Sequence, residues 1–284
     1  MINSFINLIR LKHWIKNLFV FIPIFITGNF LNIELLYYSL VIFFSFSFIS
    51  SAVYILNDIL DIEFDKLHPV KKYRPLPSGK ISKESALGIL FIFLVLTCFC
   101  LSLVNFSGFV PVLAYFIINI LYSYSIKNIP ILDISSISCG FVLRVYAGLE
   151  VTSLEGSFWL FSLTFVLSML LATGKRKQEF LIDKNSSSRP SLAKYNYEFL
   201  VASQVIFSTC VICFYTLYTF FNENFLGNQS MLMFSSALVL LGILRYLQID
   251  FSKESIAEPT DILYKDRFIL TIVVLWVLLI FLAF

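Results

Sequence analysis

Histidine is the scarcest residue in this chain, with two in 284 positions, His13 and His68, which excludes a histidine-rich transition-metal centre. Charge is scarce too. Only 14% of the residues are Asp, Glu, Lys or Arg while 58% are hydrophobic, so the chain has too little polar surface to cover itself in water. A soluble enzyme is thereby excluded, and no nucleic-acid partner is expected. The five cysteines (Cys98, Cys100, Cys139, Cys210, Cys213) all fall within apolar runs, so there is no disulfide framework, and the Cys210/Cys213 pair reads as helix surface, not as a redox or metal site. Internal repeats, low-complexity tracts and linkers are also lacking, so residues 1–284 are expected to form a single domain.

What the chain does have is apolar length. Runs of about 20 residues, enough to cross roughly 30 Å of hydrocarbon, lie near 15–35, 37–56, 85–105, 108–126, 131–149, 157–173, 199–221, 230–248 and 267–284. The expected fold is an all-α, polytopic membrane bundle of about nine transmembrane helices. The basic start imitates a signal peptide, but no small-residue cleavage site follows, and it is kept as the first helix. Cations are missing from one side. Of the 21 Lys and Arg, all except Arg144 precede the first span or sit in or beside alternate connections, whereas the opposite connections carry only Glu34, Glu150, Glu155 and Glu223. By the positive-inside rule the N-terminus and the connections 57–84, 174–198 and 249–266 are cytoplasmic and the C-terminus is outside.

Against this apolar background the stretch N-D-I-L-D-I-E-F-D, residues 57–65, gathers four acids at the end of a hydrophobic run. At helical spacing Asp58, Asp61 and Asp65 stand at i, i+3 and i+7 on one face, with Asn57 alongside. One reading is a solvated helix end with Lys66 as partner. Yet like charges on one face are destabilising without a cation, and that favours a metal site. Oxygen-only ligands without nearby His or Cys point to magnesium, which commonly bridges one or two carboxylates to substrate phosphates. The continuation supplies cations for phosphate: Lys66, Lys71, Lys72, Arg74 and Lys80, in a loop broken by Pro69, Pro75 and Pro77.

Further charges stand at membrane depth or at its edge. Arg144 lies inside the fifth span, where a cation is costly and marks a functional or paired residue facing the bundle interior. The same span offers Asp133, Ser135, Ser136, Ser138 and Gly140, suited to close packing or to a wet cavity. Tyr122 and Lys127 sit in Y-S-Y-S-I-K at a cytoplasmic helix end, where Tyr also serves as an interfacial anchor. The sixth span ends in G-K-R-K-Q-E, bringing Lys175, Arg176 and Glu179 close together, with a simple Lys175–Glu179 pair at i, i+4 as the alternative. Arg245, Lys265, Asp266 and Arg267 flank the last connection. If the helices form one bundle, these cations ring a shared opening able to hold more than one phosphate.

With these motifs in hand, the sequence resembles the UbiA superfamily of intramembrane prenyltransferases. R-L-K-H-W-I-K-N at 10–17, the acidic stretch, H-P-x-K-x-x-R-P-L-P-S-G at 68–79, G-F-V-L-R-V-Y-A-G at 140–148, G-K-R-K-Q-E at 174–179 and D-R at 266–267 look like the branch of decaprenyl-phosphate phosphoribosyltransferases. That resemblance implies Mg2+-dependent transfer of 5-phosphoribose from phosphoribosyl pyrophosphate to a polyprenyl phosphate in the bacterial inner membrane, with a cytoplasmic active site. It implies that Asn57, Asp58, Asp61 and Asp65 hold metal and diphosphate. Lys71, Arg74, Lys175 and Arg176 then become candidates for the donor's 5-phosphate, and Lys12, Lys16 and Arg144 for the lipid phosphate. The second acidic cluster of ordinary UbiA prenyltransferases is not evident, and Lys175, Arg176 and Glu179 stand in its place. An ordinary prenyltransferase acting on an aromatic acceptor is the alternative. A non-catalytic lipid-phosphate carrier is another, although it leaves the acidic face without purpose.

Overall fold

The computed structural model describes residues 2–67, 71–182, 191–221, 227–252, 262 and 265–284. His68, Pro69, Glu223 and the serine run 186–188 lie outside these. Helices, and no strands, make up the regular structure of the described residues. Seven helices are long and apolar enough to cross a membrane: α3 (Ile33–Leu60), α5 (Lys83–Leu101), α6 (Phe106–Tyr124), α7 (Leu132–Thr152), α8 (Phe158–Ile182), α9 (Tyr197–Phe221) and α10 (Gln229–Asp250). The predicted ninth span appears as a shorter apolar helix, α11 (Arg267–Ala283). Polar side chains start several of them, as expected where the first backbone N–H groups lack intrahelical partners. Asn32 accepts from the N–H of Glu34 at 3.0 Å and opens α3, Ser82 accepts from Ser85 at 3.2 Å and opens α5, and Asp266 accepts from Ile269 at 2.9 Å and opens α11.

The predicted first span, 15–35, differs most from expectation. After α1 (Ile2–Ile9), which precedes it, the region holds a 3-10 helix over Leu11–Phe21 and the short α2 (Ile22–Ile26), and the chain then turns at Gly28, φ +71°, before Asn32 caps α3, whose first turn ends the predicted span. Pro23 has no N–H to continue an α-helical ladder, and Gly28 adopts a left-handed conformation that ends the run.

The length of the 3-10 segment, 11 residues, has a tertiary cause. Three residues of 3-10 helix and four of α-helix both rise about 6 Å. The indole of Trp14 donates to Ser51 Oγ at 3.0 Å and the amide of Asn17 donates to Ser47 Oγ at 3.0 Å, so a three-residue step on one element meets a four-residue step on α3. Close approach on the other side depends on Gly148 of α7. A Cβ there would collide with the carbonyl oxygen of Val20.

The chain divides into two compact units. The first comprises residues 1–24, 32–125 and 143–154. Its central element is α3, whose apolar window is 67% buried, packed against the 3-10 segment, α5 and α6. In lipid, helix association relies on close packing and interhelical hydrogen bonds instead of on exclusion of water. Consistent with that, α3 buries Ser39, Ser45, Ser47, Ser50 and Ser51 beside Ile42, Phe46 and Ile49. The second unit comprises 25–31, 126–142 and 155–284. There α8 pairs with α9, and α10 pairs with α9 and α11, around Leu170, Val211, Tyr246 and Ile269.

Candidate functional site

In the first unit α3 ends at Leu60, Asp61 is a turn residue at φ −96°, and the short α4 (Ile62–Leu67) follows. The i to i−4 bonds from Asp61 N to Asn57 O (3.0 Å) and from Asp65 N to Asp61 O (2.8 Å) carry the ladder across the break. Asp58 and Asp65 therefore stay on one side, as the spacing predicts, and both are buried. They converge on one cation: Arg74 Nη1 donates to Asp58 Oδ1 at 3.2 Å and to Asp65 Oδ2 at 2.7 Å. Arg10 Nη2 donates to the same Asp58 oxygen at 2.5 Å, and its guanidinium stacks 4.6 Å from the ring centre of Tyr54, one helical turn before Asp58. Asp61 lies slightly apart and accepts from the Asn57 amide at 3.1 Å. Lys66, the partner expected in the solvated-end reading, pairs with exposed Glu63 at 2.7 Å.

This donor set fits a hard divalent cation in chemistry: oxygen atoms only, two buried carboxylates already converging on a single positive charge, and a third carboxylate with an amide one turn away. Among the described residues no cluster of three His, Cys, Asp or Glu is drawn together as a closed metal cage. The predicted face thus brings Asp58 and Asp65 together on Arg74, while Asp61 does not converge with them.

Arg144 is buried in the same unit. Its Nε donates to Asn17 Oδ1 at 2.7 Å and its Nη2 to the Tyr115 hydroxyl at 3.2 Å, with its guanidinium carbon 4.7 Å from the Tyr115 ring centre. Asn17, reached through the 3-10 ladder, thus links α3 to the intramembrane arginine. Tyr54 lies within electrostatic range of Arg10, Arg144, Asp58 and Tyr122, so the acidic end of α3 and the arginine of α7 belong to one polar region. Lys12 is exposed, and Lys16, Lys71 and Tyr122 are partly exposed.

The second unit holds a different arrangement from the one expected of G-K-R-K-Q-E. Arg176 is 1% exposed; its Nε donates to Asp133 Oδ2 at 2.8 Å and its Nη1 to Glu179 Oε2 at 2.6 Å. Glu179 thus pairs with Arg176 at i, i+3. Tyr195 donates its hydroxyl to Asp133 at 2.7 Å and accepts from the N–H of Ile131 at 2.6 Å, holding a branched residue at φ +69°. Burial, reinforced by the Asp133 carboxylate, pushes the Tyr195 phenol well above its ordinary pKa. Lys177, absent from the predicted set, is 1% exposed and ion-paired with buried Asp250, whose carboxylate also accepts from Gln204 Nε2 at 2.8 Å. Lys175 and Lys127 are partly exposed. Asp266 caps α11 and pairs with Arg245 at 2.8 Å; those hydrogen bonds hold its carboxyl below the ordinary range. Arg267 beside it is exposed.

Sequence reasoning missed Arg10 as the direct partner of Asp58, and it missed Tyr195, Lys177 and Asp250. The available signal was the rarity of charge inside apolar runs: a Lys and an Asp at the ends of two spans need partners. Their separation of 73 residues left the pairing invisible.

Comparison with known proteins gives the family. A profile of the UbiA prenyltransferase family matches residues 18–179, from the 3-10 segment to the end of α8. The chain is 26% identical over 281 residues to a decaprenyl-phosphate phosphoribosyltransferase of Mycobacterium tuberculosis, covering 96% of this chain and 91% of the relative. It is 27% identical to the protein of the same name from Corynebacterium glutamicum, covering 99% and 86%. In fold it is similar to a UbiA homologue from Archaeoglobus fulgidus, determined bound to DMAPP and Mg2+, with a TM-score of 0.77 at 20% identity, covering 99% of this chain and 98% of the other. With its apolar helices and this match, the protein is an integral membrane protein, and it belongs to the UbiA prenyltransferase family.

Proposed function

We propose that the protein transfers 5-phosphoribose from phosphoribosyl pyrophosphate to a polyprenyl phosphate, releasing pyrophosphate, with Mg2+ as cofactor. The observation that carries this reading is the nearly full-length similarity to phosphoribosyltransferases, and it is supported at the end of α8. There the chain carries Lys175, Arg176, Lys177 and Glu179, where an ordinary prenyl-diphosphate enzyme needs a second acidic cluster. We read residues 1–284 as one UbiA-like domain, with its N-terminus and site on the cytoplasmic side of the bacterial inner membrane.

Asn57, Asp58, Asp61 and Asp65 would hold the metal. When bound, magnesium supplies charge stabilisation to the departing diphosphate. The chain's own groups do the rest. Arg10 and Arg74, which touch the acidic pair, and Lys71, whose carbonyl accepts from Arg74 N–H, bind donor phosphate oxygens. Lys175 serves the donor's 5-phosphate, and Arg176, fixed by Asp133 and Glu179, shapes that subsite. Arg144, held by Asn17 and Tyr115, faces the lipid phosphate together with Lys12 and Lys16. Tyr122, Lys127, Asp266 and Arg267 are further candidates for substrate binding. The bond from the anomeric carbon to the diphosphate oxygen breaks as a lipid-phosphate oxygen forms a bond to that carbon. No strong general base is required, because a phosphate monoester with a second pKa near 6 is largely ionised at neutral pH; two histidines suffice for such a chain.

The test is a membrane assay offering labelled phosphoribosyl pyrophosphate with polyprenyl phosphates of several lengths, with and without Mg2+, beside parallel reactions with prenyl diphosphates. Labelled lipid formed only from phosphoribosyl pyrophosphate, and only with metal, is the expected result. Consumption of prenyl diphosphate alone would return the chain to ordinary prenyl transfer.

A further inference from the structure

The two buried acids of the α3 end already possess counter-cations. The side chains of Asp58 and Asp65 are 3% and 5% exposed, whereas those of Arg10 and Arg74 are 19% and 31% exposed. Arg74 Nη1 lies between the two carboxylates, at 3.2 and 2.7 Å, where a bridging cation would sit. Neither arginine belongs to α3. Arg10 occupies a left-handed turn, φ +52°, between α1 and the 3-10 helix, and Arg74 opens a turn closed by Ser78, whose N–H and hydroxyl reach the Arg74 carbonyl at 3.0 and 2.6 Å.

Counting charge gives the consequence. The two buried carboxylates and the two partly exposed guanidinium groups that touch them carry no net charge. A divalent metal entering alone would have to break the Arg74 bridge and leave two guanidinium groups without anions. A metal entering with a diphosphate gives them a new partner: the carboxylates offset the metal's charge, and the guanidinium groups offset most of the diphosphate's. Guanidinium is suited to both roles, since its planar fork binds carboxylate and phosphate alike.

We propose that Arg74, assisted by Arg10, is a resident counter-cation of the Asp58/Asp65 pair that exchanges onto the substrate diphosphate when metal enters, so that metal and diphosphate bind as a unit and each binds poorly alone. This rests on the reading of residues 57–65 as the metal site. Arg74 is thereby a positioning residue with two successive partners, and it suppresses futile occupation of the site by metal.

The experiment uses the full chain purified in detergent and Mn2+ as the probe. Bound Mn2+ is followed by electron paramagnetic resonance with and without inorganic pyrophosphate, with protein-free controls for Mn2+–pyrophosphate in solution. In wild type, pyrophosphate should strengthen Mn2+ binding at least about tenfold. Arg74→Gln should bind Mn2+ alone about tenfold to a hundredfold more tightly than wild type, the range for losing a charge-assisted bond, and should lose most of the pyrophosphate effect. Arg74→Lys, which keeps the charge but lacks the planar guanidinium's further donors for diphosphate, should fall between them and serves if the Gln variant does not fold. Lys83→Gln, exposed at the start of α5, should shift binding less than about twofold, which separates exchange from general charge removal.

If both Arg74 variants bind Mn2+ alone no more tightly than wild type, while wild type binds it with pyrophosphate and Asp58→Asn does not, the exchange is wrong and the metal site stands. If wild type binds no Mn2+ even with pyrophosphate, the metal-site reading falls and the exchange falls with it.

Discussion

The buried pair Lys177–Asp250 offers the sharpest test of the second unit. Both side chains are sealed, at 1% and 0% exposure, and the ammonium also donates to the Asp250 carbonyl at 2.9 Å and lies 4.3 Å from the ring centre of Phe251. Gln204 of α9 adds its bond at 2.8 Å, so one carboxylate joins α8, α9 and α10. Asp250→Leu strands the ammonium with only a carbonyl and a ring face. Breaking a buried pair from one side costs about 3–5 kcal/mol, because the remaining charge is desolvated without compensation. At about 2–4 °C per kcal/mol for a domain of this size class, the melting temperature should drop by roughly 6–20 °C. Adding Lys177→Met removes the stranded charge, and the double variant should recover to within about 1 kcal/mol of wild type or exceed it. The assay is thermal unfolding of the detergent-solubilised chain by circular dichroism at neutral pH, repeated at high salt, which should change little for a pair shielded from solvent. A drop below about 2 °C for Asp250→Leu, or a double variant less stable than that single one, would refute the reasoning.

Three further outcomes follow from particular contacts. Asp58→Asn should lower turnover at least about a hundredfold, the scale for losing one preorganised electrostatic contact in a transition state, while the protein still inserts and folds because Arg10 and Arg74 retain access to water; activity within a few-fold of wild type would remove Asp58 from the site. Tyr195→Phe leaves the Ile131 N–H and one Asp133 oxygen without their bonds, which should destabilise the fold by about 1–3 kcal/mol, read as a lowered melting temperature. Asp266 has a folded pKa below its ordinary value near 3.8, so its contribution is complete above that value and is lost as pH falls through the lower folded pKa. The stability difference between wild type and Asp266→Ala should therefore be constant near neutrality and shrink below about pH 4; a difference that grows on acidification would contradict the assigned sign.

How far the sequence reaches can be seen at α3 and at the end of α8. The apolar length of α3 and the i, i+3, i+7 spacing of Asp58, Asp61 and Asp65 are local properties, set by hydrocarbon thickness and by 3.6 residues per turn. They survive even the break at Asp61, because the hydrogen-bond ladder crosses it. Cation placement and the wealth of apolar runs were equally legible. The first span was not: Pro23 and Gly28 forbid one continuous helix locally, but the long 3-10 segment is chosen by its six-ångström match to the serines of α3 and by the missing side chain at Gly148. G-K-R-K-Q-E shows the limit most clearly. Its charge is plain in the sequence and reads as a mouth for phosphate, yet Arg176 and Lys177 are bound to Asp133 and Asp250, 43 and 73 residues away. Composition and periodicity determine which segments enter the membrane and which residues share a face, because those depend on neighbours along the chain. Which buried charge meets which partner depends on helix packing in space, and that only the tertiary structure decided.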